Sequence, residues 1–342
     1  MPTSAGSRPA VPDGAEAPES GVALGLDVGG TKLAAGVVDA DGRVHSFVLE
    51  PTGSEEGPPA VVERLFLLGT RAVAESGVPW ERIDRVGIGC GGPLDAERGV
   101  VLGPPHLPGW VDIPLTALAE ERYSRPAVLE NDATAAAAAE HRYGAGAGTR
   151  NMIYLTISTG VGGGIVLEGR LYRGSVGNGG ELGHVTVDWD GRLCRGCGRR
   201  GCLEAFVSGT SIAERAREAL AAATVPSVLA ALEAPTAADV AAAARGGDPV
   251  AGEVWDETTA ALGCGVTSIV NLFEPEIVVL GGGVSRSGAQ LLDPVRETVR
   301  TTAMAPAGRA ATIVLSALGD QAGVVGAAAI AFDRIGSGAA TE

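Results

Sequence analysis

The chain has 342 residues, 45% hydrophobic and 20% charged, a folded composition long enough for two domains. Its net charge of −15 argues against a nucleic-acid binder, which shows a basic face, although backbone amides can still hold phosphate locally. No stretch reaches the roughly 18 consecutive apolar residues of a membrane span, and the first residues lack the apolar core of a signal peptide, so a cytoplasmic protein is expected.

Residues 1–20 are rich in Pro, Ala, Ser and Glu and read as a disordered tail. VALGLDVGGTKLAAGVVDADGRV (22–44) reads as a strand, a Gly turn, a second strand and a D-A-D-G turn, a β-hairpin. Residues 59–77 have helical spacing, and DRVGIGCGGPLD (84–95) is a buried strand entering a Gly/Pro loop. RPAVLENDATAAAAAEHRYG (125–144) is a short strand and an Ala-rich helix that stops at Gly144. NMIYLTISTGVGGGIVLEGRLYRG (151–174) repeats the first hairpin. Residues 211–223 and 253–273 are helical, EIVVLGGGV (276–284) is a buried strand meeting glycines, and 318–335 is a last helix.

This order is α/β. The echoed hairpin predicts two related halves: a smaller domain over 21–130 and a larger one over 131–318, with the helix at 319–335 packing back on the first.

Asp27-Val28-Gly29-Gly30-Thr31-Lys32 lies where one strand turns into the next. Its glycines let N–H groups face an anion, Thr31 adds a hydroxyl, and Asp27 is placed for a hydrated Mg²⁺. A plain hairpin turn would look the same. Ser158-Thr159-Gly160 and the glycines after it repeat the design, so two hairpins would grip a polyphosphate between them. Neither is a Walker A loop or a dinucleotide fingerprint, because each leads into a strand and not a helix. Gly281, Gly282 and Gly283 end a buried strand, which suits either close approach of a ligand or a tight loop.

Asn131 and Asp132 stand between a strand and a helix. There they are either helix caps or a polar binder and a base. Glu181, His184 and Glu204 suit multidentate hydrogen bonding to sugar hydroxyls, or are surface charge. His184, Cys194, Cys197 and Cys202 match a closed Cys₃His zinc site, which leaves no open position for metal catalysis. Cys90 and Cys264 sit in apolar contexts and are expected in the core.

Taken in order, DVGGTK, LENDA, STGVGGG, GELGH, CGRRGCLE and VVLGGGV resemble the ROK family (repressors, open reading frames, kinases), and within it the bacterial glucokinases. The resemblance covers roughly residues 21–335. It implies the actin-like ATPase fold, two ribonuclease-H-like domains flanking a cleft, and ATP-dependent phosphorylation of a hexose at its 6-hydroxyl. It further implies Asp132 as general base, with Gly92, Pro93, Asn131, Glu181, His184 and Glu204 on the sugar. Gly29, Gly30 and Thr31 with Lys32, Thr159 and Gly160 would hold the phosphates, and Gly281–Gly283 the adenosine side. ATP, Mg²⁺ with the nucleotide, a structural Zn²⁺ and a homodimer or homotetramer complete what is implied, with no nucleic-acid or membrane partner.

A ROK repressor would carry an N-terminal helix-turn-helix, and the short Pro-rich, acidic stretch before the first strand gives no expectation of one. Three departures stand out. Cys194 and Cys197 are two residues apart where the family has one; His106 of PPHLPGW replaces Asn; and Gly91-Gly92-Pro93 stands for Pro-Gly. The first two keep another hexose, an amino sugar or a glucose-like cyclitol open as substrate.

Overall fold

Residues 21–336 are described by the structure, a computed structural model. The expected tail at 1–20 lies outside the described residues. The apolar run Val22–Val28 forms β1, buried at every position except Asp27. Strands β2 (Lys32–Asp39) and β3 (Val44–Pro51) continue it as an antiparallel meander. Helix α1 (Pro58–Ser76) begins with Pro in its first turn, where the missing N–H costs nothing, and stops at Gly77 with φ 71°. It leads to β4 (Ile83–Cys90), parallel to β1. A small hairpin of β5 (Leu94–Asp95) and β6 (Val100–Val101), then helix α2 (Leu115–Tyr123), precede β7 (Ala127–Asn131), parallel to β4. The sheet order is β3-β2-β1-β4-β7.

Helix α3 (Asp132–Tyr143) leaves β7 with no intervening residue. Strands β8 (Met152–Ile157), β9 (Val161–Leu167) and β10 (Arg170–Leu171) form a second antiparallel meander. Helices α4 (Glu204–Val207), α5 (Gly209–Ala222), α6 (Ala237–Arg245) and α7 (Pro249–Phe273) follow. Then come β11 (Ile277–Gly281), α8 (Ala289–Thr302), α9 (Ala307–Ala310), β12 (Thr312–Leu315) and α10 (Ala322–Gly336). The order β10-β9-β8-β11-β12 repeats the first sheet, with β11 parallel to both β8 and β12. Two copies of one topology, each a three-strand meander extended by two parallel strands, make the two-domain actin-like arrangement.

Elements β3, α2, α6, α8 and β12 were not expected from the sequence. Strand β3 (VHSFVLEP) is an edge strand with mixed exposure, and the Ala-rich α6 lacks large side chains to mark a face. Small residues serve close approach here. Helix α10 lies on β1 and β4, and a β-carbon on Gly87 would overlap the Ala327 carbonyl. Its other side meets α3, where a β-carbon on Gly326 would overlap the Ala135 carbonyl. The Ala-rich helices α3 and α10 thus pack backbone to backbone between the two sheets.

Glu140, fully buried at the end of α3, ties this layer together. Its carboxylate accepts from Ser316 Oγ, from the Leu318 and Ala317 N–H groups of the linker into α10, and from Ala145 N. Glu140→Ala would leave these donors without their acceptor and should cost about 2–4 kcal/mol of unfolding free energy. Chemical denaturation reads this, and a loss under about 0.5 kcal/mol would show that water replaces the carboxylate.

Candidate active site

Strand register assembles the cleft floor. Asp27 on β1 is level with Gly89 on β4, and Gly89 with Glu130 on β7; one step on, Val28, Cys90 and Asn131 are level. All three strands are parallel, so these residues gather at one carboxyl edge, where open α/β sheets bind ligands. Asn131 caps α3, its Oδ1 accepting from Ala133 N at 3.0 Å and Thr134 N at 3.1 Å. The capping duty therefore falls on Asn131. Asp132, at the first helical position, takes only a share of the Ala133 N–H, at 2.8 Å.

Burial dominates the electrostatics. It pushes the Asp27 carboxyl up to about 7, with the Asp132 charge adding to the effect. Burial likewise raises Asp132, against the opposing hydrogen bond from Ala133 N and the attraction of His106. The Cys90 thiol beneath them is pushed up by burial and by both carboxylates. A β-carbon on Gly89 would lie 3.5 Å from Asp27 Oδ1 and 3.7 Å from Asp132 Cα, which shows how closely the two acids share the floor.

The first hairpin carries Gly29, Gly30, Thr31 and Lys32 beside Asp27. Gly29 N donates to Lys32 O at 3.0 Å and closes the turn. Thr52, fully buried at the end of β3, pins it: Oγ1 donates to Gly29 O at 2.7 Å, and its N–H to Thr31 O at 3.1 Å. The second hairpin, Ser158–Gly160, is docked on the start of α5, with Gly209 N donating to Ser158 O at 2.7 Å and Thr210 Oγ1 to Thr159 O at 2.9 Å.

Gly281 is level with Thr156 on β8, and Gly282 has φ 84° against the backbone of Ile157, so Gly281–Gly283 border the second hairpin. A β-carbon on Gly162 would come within 2.8 Å of Ala133 Cβ, which seats the start of α3 on β9. Asp132 thereby lies between the floor of the first hairpin and the root of the second.

On the other side, Gly92 and Pro93 follow β4. A β-carbon on Gly92 would be 3.6 Å from both Asn131 Nδ2 and Asn178 Oδ1. His184 Nε2 is 3.8 Å from Glu181 Oε2. Burial raises the Glu181 carboxyl; His184 opposes this, and the charges of Asp132 and Glu204 add to it. Glu204 Oε2 accepts from Val161 N at 2.9 Å, which fixes it to the second hairpin.

The opposite ring nitrogen of His184, Nδ1, lies 3.6 Å from Cys194 Sγ, and Cys197 Sγ lies 3.4 Å from Cys202 Sγ. The four donor atoms of His184, Cys194, Cys197 and Cys202 are all within 4.8 Å of one another, a spacing and donor set that fit one tetrahedral zinc ion. The residue pair between Cys194 and Cys197 matters to the site: a β-carbon on Gly196 would meet Glu204 Oε1 at 2.5 Å and His184 Cε1 at 3.2 Å. Cys90 is buried as expected, but Cys264 is exposed on α7. An apolar sequence context did not reveal which face of that long helix it occupies.

His106 reaches the centre from the loop after β6. Its ring packs over Gly91, its Cβ would be 3.1 Å from a β-carbon on Gly30, and burial lowers its pKa against the raising effect of Asp132. Thr52, Arg173, Asn178 and Gly196 were missed from sequence. Thr52, Asn178 and Gly196 act through backbone partners or close approach and Arg173 through an ion pair with Glu130, 43 residues away in the chain, so only the glycine leaves any sequence signal.

The ROK family model matches residues 23–334. The chain is 39% identical to a glucokinase of Thermotoga maritima over 92% of its own length and 98% of that protein. A ROK hexokinase from Thermus thermophilus superposes with a TM-score of 0.76 at 39% identity, covering 93% of this chain and 100% of that one. A ROK family glucokinase from Streptomyces griseus, solved with glucose and AMPPNP, gives 0.79 at 37% identity, covering 92% and 100%. With this coverage, and with the repeated sheet topology and the cleft described above, the chain belongs to the ROK family.

Proposed function

We propose that this enzyme transfers the γ-phosphoryl group of ATP to the 6-hydroxyl of glucose, with Asp132 as general base. The observation that carries the reading is the position of Asp132: half-buried, relieved of capping by Asn131, and set between two Gly/Thr hairpins on one side and Glu181, His184 and Glu204 on the other. The glucokinases and the ROK hexokinase among its relatives support hexokinase-type phosphoryl transfer.

Asn131 Nδ2, Glu181, His184 Nε2 and Glu204 supply donors and acceptors in several directions, as a polyhydroxylated ring requires. Asp132 then accepts the proton of the hydroxyl that attacks the γ-phosphorus, and a carboxyl raised by burial is a stronger base for that step. Amides of Gly30, Thr159 and Gly160 would face the triphosphate, with Gly29 closing the first turn through its bond to Lys32 O, and Gly281–Gly283 would border the nucleoside. Asp27, a half-buried acid with no hydrogen-bond donor among the described residues, fits a hydrated Mg²⁺, which when bound would neutralise phosphate charge. Zinc held by His184, Cys194, Cys197 and Cys202 would brace the segment that presents Glu181, His184 and Glu204. His106 keeps a second reading in play, a related kinase for an amino sugar or cyclitol, because an imidazole in place of an amide alters what the acceptor meets.

Three measurements test these assignments. In a coupled ATP assay over a sugar panel, glucose should show the highest kcat/KM; an amino sugar or cyclitol ranking far above it would remove the glucose assignment and leave the kinase. Asp132→Asn should lower kcat by about 10²–10⁴-fold with little change in sugar affinity, whereas retained turnover would reduce Asp132 to a first-turn residue. Cys197→Ser should release zinc and raise the KM for sugar before that for ATP, an idea that ends if metal analysis finds no zinc in the wild type.

A further inference from the structure

The segment between β10 and Glu181 makes two contacts with the first sheet and its loops. Arg173 Nε donates to Glu130 Oε2 at 2.6 Å, and Glu130 is only 1% exposed. The other oxygen of Glu130 accepts from Asn131 N at 3.1 Å, so Arg173 grips the residue just before the cap and the base. Further on, Asn178 reaches the Gly92–Leu94 loop. Its Nδ2 donates to Leu94 O at 3.3 Å while its Oδ1 accepts from Leu94 N at 3.5 Å, the two-way pairing a neighbouring strand would make. A further bond from Nδ2 to Val176 O at 3.1 Å orients the amide.

This fastening has a reason in the chain around it. Gly174, Gly177 and Gly180 have φ of 73°, 79° and 97°, and Gly179 lies between the last two; one internal bond, Gly179 N to Arg173 O at 2.8 Å, closes this glycine-rich loop, so little else within it restrains the chain. Three residues beyond Asn178 stands Glu181, and three beyond that His184. The far end is held at the Cys/His cluster through His184. Arg173 holds the base of the loop, but without the tie at Asn178 its tip would have to be ordered against the Gly92–Leu94 loop each time a sugar bound, at a cost in affinity.

We propose that Asn178 is a positioning residue for the sugar site: its amide fastens the glycine-rich loop to the backbone of Leu94 and so fixes Glu181 and His184 relative to Gly92 and Asn131. Its donor and acceptor are both spent on backbone, so it orders the sugar ligands without being one. The effect on sugar rests on the kinase reading above, whereas the fastening itself does not.

The test compares wild type, Asn178→Ala and Asn178→Asp, the last keeping the shape and the acceptor but losing the donor. The KM for the sugar should rise about fivefold or more in both variants, with the KM for ATP and kcat within about twofold and the melting temperature unchanged. Hydrogen exchange at the Leu94 amide should accelerate in Asn178→Ala and stay near wild type in Asn178→Asp. An unchanged sugar KM in both variants overturns the proposal, and so does a parallel rise of both KM values with a lower melting temperature, which marks a purely structural residue. If the wild type phosphorylates no sugar, the kinase reading fails by itself. The Leu94 exchange then decides, and equal protection in Asn178→Ala and wild type rejects the clasp.

Discussion

Asp27 and Asp132 arrive from separate elements, the end of β1 and the first turn of α3, yet share one floor so closely that the charge of Asp132 helps to push the proton affinity of Asp27 up to about 7. Two half-buried acids placed together are expensive unless something uses them. Much of the nearby structure is arranged to permit this crowding. The register of the parallel strands brings the residues level, Gly89 leaves room between them, and Asn131 takes over the helix cap so that Asp132 does not have to. Helix α10 closes the floor: a β-carbon on Gly323 would overlap the Asp27 carboxylate.

Around that floor the molecule alternates rigid backbone anchors with glycine. Thr52 secures the first hairpin, the start of α5 secures the second, and Glu204 spans from the Cys/His loop to Val161. His184 turns one ring nitrogen toward the cysteines and the other toward Glu181. On the proposed reading, that division lets a metal set the orientation of a sugar ligand without taking part in the chemistry.

The repeated hairpin was legible because strand, Gly turn and strand recur with the same residue types, and the second sheet does repeat the first. The cysteine cluster was legible because three thiols on a Gly/Arg loop cannot all be core, and its four donors do converge. At Asn131-Asp132 the sequence left cap and base undecided; the structure gives the cap to Asn131, whose Oδ1 accepts both capping bonds. Arg173, Asn178 and Thr52 were not legible. Their partners are distant in the chain and mostly backbone atoms, which carry no side-chain identity for a reader of sequence to match. Helix α6 escaped because its alanines mark no large apolar face, and α8, though Leu291, Leu292, Val295 and Val299 line one buried face, carries Pro294 in its interior, a residue that argues against a helix.

The claim on which the account turns is that Asp132 works as a base from a desolvated pocket, and the pH dependence of kcat/KM for the sugar tests it most directly. The base must be unprotonated, so the rate falls as pH drops through its folded pKa. Because burial raises that pKa, the acid limb should lie above the ordinary aspartate value of about 3.9. An acid limb at the ordinary aspartate value, or a rate flat through the acidic range where the protein stays folded, would contradict it.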